Sequence, residues 1–257
     1  RSESPVSEST ATPIVALLTA ALLIAAGPAT AEKAWTLDAE AAMVQPTRND
    51  VRIPGDTGTE FSLTDDLSPD DDVAFRVRLS RQVGERSHVS LLYAPLLLHS
   101  EGTPGFAIDY NGVTFAEGAK LESTYKFNSY RATWRYDLAR SDDLAFGLGL
   151  TGKVRDAYIE LSDGSVTSRK DNVGFVPLIH FRLAWNWGDT LGLLVEGDAL
   201  AAPQGRAEDV LAALVLRPRS SSSFRLGYRI LEGGADNDEV YSFALINYYT
   251  FGWIQRF

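Results

Sequence analysis

From Trp35 onward the chain alternates apolar and polar side chains almost without a break, and clusters of Gly, Asp and Ser punctuate the alternation. A period of two sends successive side chains to opposite faces of an extended backbone, so these segments read as strands with one apolar face each. Val73, Phe75, Val77 and Leu79 interleave with Arg76, Arg78 and Ser80; Phe175, Ile179, Phe181 and Leu183 interleave with His180 and Arg182. Phe224, Leu226, Tyr228 and Ile230 do the same with Arg225 and Arg229. Ten such strands are expected, at about residues 35–43, 73–82, 88–98, 119–138, 144–161, 173–187, 191–199, 210–217, 224–231 and 240–251.

The connections alternate in length. Residues 44–72, 99–118, 162–172, 200–209 and 232–239 are long and polar, whereas GERS, ARSDD, GDT and RSSSS are tight. An even strand count with long loops on one side and short turns on the other is the plan of a barrel that crosses a membrane, its short turns and both termini periplasmic. A mean hydropathy of -0.10 excludes a bundle of membrane helices but not a barrel, whose strands turn only alternate residues to lipid. With no Cys there is no disulfide framework and no thiolate chemistry, and a net charge of -10 argues against a nucleic-acid partner. The pattern alone also allows a soluble periplasmic ligand-binding barrel with its apolar face inward. Aromatic placement favours the membrane: Trp134, Tyr136, Phe146, Trp185 and Trp187 flank expected short turns, and Trp35, Phe224 and Trp253 also sit at expected periplasmic strand ends. All five tryptophans thereby gather at one rim, as in a girdle at the lipid headgroups.

Upstream, the apolar run IVALLTAALLIAA at residues 14–26 is followed by Gly27, Pro28 and Ala29-Thr30-Ala31. This is the pattern of a secretory signal peptide, and it divides the chain into an expected leader at 1–31 and a barrel domain at 32–257. Together with the alternating segments and the aromatic last strand VYSFALINYYTFGWIQRF, it makes the chain resemble the outer-membrane β-barrel proteins of Gram-negative bacteria. The resemblance implies an all-β fold, a single antiparallel up-and-down transmembrane barrel of about ten strands, monomeric and located in the outer membrane. It also implies contact with outer-membrane lipids and lipopolysaccharide, and recognition by the barrel-assembly machinery through the C-terminal strand ending at Phe257. Tyr249, Phe251, Trp253 and Phe257 keep one phase there and Gln255 breaks it. Such a likeness speaks to fold and place, not to activity.

Register extends the reading into the lumen. A turn centred on Asp189 opposes Arg182 to Glu196 and His180 to Asp198, and a turn centred on Gly84 opposes Arg78 to Ser90. The expected inward charge network is Arg76, Arg78, Glu122, Lys126, Arg131, Arg135, Lys153, Arg155, His180, Arg182, Glu196, Asp198, Arg225 and Arg229, with basic residues in excess. It reads first as hydrogen-bonded filling of a narrow lumen, in a structural or limited-transport role. The second reading is a path that favours anions. Leu211, Ala213 and Val215 add an inward apolar stripe.

Chemistry supplies the alternatives. His180 and Asp198 have the residue types of a base and its orienter, with Ser90 or Ser242 as a hydroxyl source. His99-Ser100-Glu101 falls at the outer end of the third strand, where a rim enzyme would act on lipid A or peptides. Its residue types resemble those of the deacylase barrels without their spacing, and the paired acidic residues of the omptins have no counterpart. No catalytic residue, cofactor or metal is assigned. The first long loop holds Asp50, Asp56, Glu60, Asp65, Asp66, Asp70, Asp71 and Asp72 against Arg48 and Arg52. No EF-hand spacing is present there, and the default is a solvated acidic loop. Bulges are expected at Pro177 and at 128–130, and Asn247 is expected to face lipid.

Overall fold

The computed structural model describes residues 35–202 and 205–257; the expected signal peptide lies outside the described residues. Its strands are β1 (Trp35–Arg52), β2 (Phe61–Ser62), β3 (Ser68–Pro69), β4 (Asp72–Gln82), β5 (Ser87–Ala94), β6 (Leu97–Gly102), β7 (Ile108–Tyr110) and β8 (Val113–Phe115). They continue with β9 (Leu121–Arg140), β10 (Leu144–Ser162), β11 (Thr167–Trp187), β12 (Leu191–Ala202), β13 (Gly205–Arg219), β14 (Ser222–Asp236) and β15 (Tyr241–Arg256). Both β5 and β6 pair with β9, so they form one stave interrupted at Pro95 and Leu96. With β1, β4 and β9 to β15 they make ten antiparallel staves. Pairing of β1 with β15 joins first stave to last, and Trp35 and Phe257 exchange both backbone hydrogen bonds at 3.0 Å. A closed ladder satisfies its backbone donors and acceptors internally, the condition for a sheet to sit in hydrocarbon.

The apolar phase points outward. Met43, Val73, Phe75, Leu150, Phe175 and Leu226 are each more than half exposed, while Arg76, Arg131, Asp209 and Arg229 are buried. A soluble barrel with the apolar face inward would show the opposite arrangement. Asn247, on the outer face, is satisfied laterally: Tyr228 Oη donates to its Oδ1 at 2.5 Å and its Nδ2 donates to Thr47 at 3.1 Å.

Several strands run further than the alternation suggested. The ladder carries β1 to Arg52, opens β11 at Thr167 and β13 at Gly205, and carries β14 to Asp236. Beyond the apolar belt the outer face turns polar while inward positions such as Val51, Tyr125 and Leu161 are apolar, so the alternation no longer marks one lipid-facing side although the backbone groups still require partners. The GDT turn has the expected register, with Arg182 opposite Glu196 and His180 opposite Asp198. The GERS turn does not: Val83 N–H donates to Ser87 C=O at 2.9 Å, which centres the turn on Glu85 and puts Ser80 opposite Ser90 and Arg78 opposite Leu92. A slip of two residues exchanges partners and preserves faces.

Neither expected bulge is present. Pairing of β5 and β6 with β9 keeps one register through 128–130. Odd positions of β9 from Leu121 to Asp137 therefore stay inward, which takes Glu122 and Lys126 out of the lumen to the outer face, where Lys126 Nζ meets Asp156 at 2.7 Å. The register shifts fall instead at Pro46/Arg48, Phe146/Gly147 and Leu216/Arg219. Pro177 pairs in register with Gly152 of β10, whereas the β11–β12 ladder stops at Ile179 opposite Ala199. The next hydrogen-bonded rung toward β12 would use the N–H of residue 177, which proline lacks.

Candidate functional site

The lumen is built in three layers. In the outer half the apolar side chains of the long loops fold inward, while Asp56, Glu60, Asp65, Asp70 and Asp71 of the first loop stay exposed, as expected of a solvated acidic loop. Val51 and Ile53, Phe61, Leu63 and Leu67, and Ile108, Tyr110 and Phe115 of the β7–β8 hairpin meet Val44, Leu98, Leu121, Tyr125, Leu161 and Ile246 of the wall in one buried apolar cluster. Phe61 and Tyr110 pack edge to face at 6.0 Å. Burial pushes the Tyr110 hydroxyl up, so it stays a neutral donor, and it bonds the Ile159 carbonyl at 2.8 Å. Acidic loop residues serve as local acceptors: Asp66 takes the Ser62 N–H at 2.7 Å and Glu60 pairs with Arg52 at 3.1 Å. On β6, Ser100 is buried and His99 exposed. They face opposite sides of the strand, so they cannot act as one catalytic pair.

The middle layer is ionic. Asp209 accepts hydrogen bonds from Arg76 at 2.8 Å, Arg131 at 2.6 Å and Arg229 at 2.6 Å. Glu40 accepts from Arg229 at 3.1 and 3.0 Å and from Arg225, and lies 3.6 Å from Arg76. Asp198 takes Arg131 and the Thr151 hydroxyl, each at 2.7 Å, and lies 2.9 Å from His180 Nδ1. Arg225 also reaches Asp38 at 2.6 Å. Gly252 opposite leaves the space, since a Cβ there would stand 2.7 Å from the guanidinium carbon. Three nearly dry carboxylates thus each hold two or three cationic or hydroxyl donors, which is how buried charge offsets its desolvation. Lys153 Nζ stands 4.5 Å over the Phe127 ring, and Arg155 meets Asn172 toward the outer end.

Sequence reasoning missed Asp209, Glu40, Asp38, Asp137 and Thr151. Asp209 lay one residue before the expected eighth strand, yet it shares parity with inward Leu211, Ala213 and Val215, which pack on Leu194. Glu40 shares parity with Asp38 and Ala42. Carrying the parity one residue past the apolar run would have found Asp209, and Glu40 sits within the expected first strand on the face opposite Ala39 and Ala41.

The third layer is a vestibule of about 580 Å³ at the short-turn end. Glu196 receives Arg182 at 3.1 Å and also Arg78. Asp137 holds His88 at 2.9 Å and Arg135 at 3.1 Å. Arg217 Nη2 donates to Asn186 at 2.6 Å, and its buried Nη1 has no partner among the described residues. Around this rim the structure places Trp134, Tyr136, Trp185, Trp187, Phe224 and Trp253 exposed, and Trp35 and Phe146 half-buried. Trp185 and Trp187 stack edge to face at 5.6 Å.

No family model matches the chain, and no curated protein matches it by sequence. Solved structures do. The outer membrane protease OmpT from Escherichia coli is similar at 8% identity with a TM-score of 0.53, over 89% of this chain and 99% of that one. The attachment invasion locus protein Ail of Yersinia pestis (10% identity, TM-score 0.37, 88% and 100% coverage) and Neisserial surface protein A (13%, 0.34, 87% and 97%) also match. The OmpT likeness bears on fold alone, and the fold of this chain is the closed antiparallel β-barrel seen in Gram-negative outer-membrane proteins.

Proposed function

We propose that this chain is an integral protein of a Gram-negative outer membrane whose barrel serves as a closed, charge-filled scaffold rather than as an open pore. One observation carries the reading: the lumen is spanned at mid-height by the Asp209, Glu40 and Asp198 networks, and roofed by an apolar cluster built from its own loops. Moving a hydrated ion past that layer would break several charge-assisted hydrogen bonds at once, and each buried charge so released is expensive to leave unpaired. The outward apolar phase supports insertion. About ten residues of strand at roughly 3.3 Å each, tilted by some 40 degrees, cover the height of an apolar band.

The test combines envelopes and bilayers. The protein is expected to stay with membranes through a carbonate wash, to migrate differently in detergent gels before and after boiling, and to give no steady current in planar bilayers. Extraction by carbonate would remove the membrane reading, and an ohmic conductance would remove the closed lumen.

A further inference from the structure

The charge of the vestibule wall is not balanced by the wall itself. Among the described residues seven arginines and five carboxylates line the chamber, and on its wall the guanidiniums of Arg78, Arg135 and Arg182 are held by only Glu196 and Asp137. Asp38 at the floor is already engaged by Arg225. Arg78 and Arg182 share one carboxylate, and among the described residues Arg217 has only the neutral Asn186 amide for Nη2 and nothing for Nη1. Arg78, Arg135, Arg182 and Arg256 line the same chamber. In a chain whose net charge is -10, a concave wall with two surplus positive charges focuses the field on the chamber.

We propose that the vestibule binds a compact dianionic phosphate group, as inorganic phosphate or a soluble phosphomonoester, entering from the short-turn mouth. Two negative charges match the surplus. Guanidinium forks present paired N–H donors to phosphate oxygens, a geometry that neither chloride nor a single carboxylate exploits as fully. A chamber of about 580 Å³ admits the group with a small organic substituent, and the hydroxyls of Ser90 and Thr133 line the same space. The site does not depend on whether the lumen conducts.

The barrel, purified in a neutral maltoside detergent at low ionic strength, is titrated calorimetrically with inorganic phosphate and with phenyl phosphate. A third arm uses phosphatidic acid in mixed micelles. Saturable one-site binding of both soluble ligands is expected. Arg217→Ala should weaken it about tenfold or more, the scale of one lost charge-assisted hydrogen bond. Ser90→Trp should weaken it by intruding an indole into the chamber with every charge left in place. Gel mobility before and after boiling shows whether each variant keeps its barrel; if Ser90→Trp does not, Arg217→Ala decides, since among the described residues its only side-chain partner is Asn186. Absence of saturable binding, binding unchanged in variants that keep the barrel, or binding confined to the lipid arm would each overturn the proposal.

Discussion

Asp209 concentrates the energetics of the lumen in one side chain, because three arginines from β4, β9 and β14 converge on its two oxygens. Asp209→Ala leaves all three buried without that partner. Breaking a buried network from one side typically costs roughly 3–5 kcal/mol, since the stranded charges stay desolvated. The urea midpoint followed by tryptophan fluorescence in detergent should fall accordingly, and Asp209→Asn, which keeps an acceptor, should fall less. Equal losses for the two variants would show that volume rather than charge holds the layer. At this scale the sequence was legible where the turn residues fix one register: His180 with Asp198 and Arg182 with Glu196 follow from the GDT turn alone, whereas the GERS turn is slipped by two residues and opposes Ser80, not Arg78, to Ser90. Contacts across the lumen, such as Arg76 with Asp209 at a separation of 133 residues, follow from closure and tilt, which no local pattern encodes.

Among the elements, β11 shows how one residue sets the length of a ladder. It pairs with β10 from Trp185 to Thr167 but with β12 only as far as Ile179. The missing donor of Pro177 accounts for the difference, so Pro177→Val should extend pairing toward Ala201. Hydrogen exchange of the backbone amides at 199–201 should slow, because a paired amide opens less often; unchanged exchange would assign the separation to the β12–β13 hairpin instead. Strand number, order and the two kinds of connection were legible, since alternation and turn composition are local signals. The inward folding of the long loops was not. Phe61, Leu63, Ile108 and Phe115 are scattered among polar neighbours, and only the enclosed outer half gives them a common cluster. The bulge expected at 128–130 failed for a related reason: above the belt, Tyr125 and Phe127 face inward on β9, so apolar no longer meant outward.

For the molecule as a whole, the barrel has two apolar regions with an ionic layer between one of them and the water at the short-turn end, and only the outer belt separates a membrane protein from a soluble one. Leu226 makes the distinction measurable. It is 68% exposed on β14, between Phe224 and Tyr228 in the outward apolar run that ends at Ile230. If that face meets water, Leu226→Arg is a surface substitution worth within about 0.5 kcal/mol either way. If it meets hydrocarbon, the arginine should destabilise folding into lipid by roughly 2–4 kcal/mol near the midplane, and much less near the edge of the belt. Glu208→Arg, on the outward face of β13 at the polar edge, supplies that edge control. Refolding into phospholipid vesicles, with the folded fraction followed by gel mobility across a urea series, should therefore separate the two variants by a clear shift in midpoint. The same pair measured in detergent should lie closer together, because a micelle adapts around an inserted charge more readily than a bilayer does. Coincident midpoints in vesicles would place Leu226 in water and remove the physical basis for an outer-membrane location.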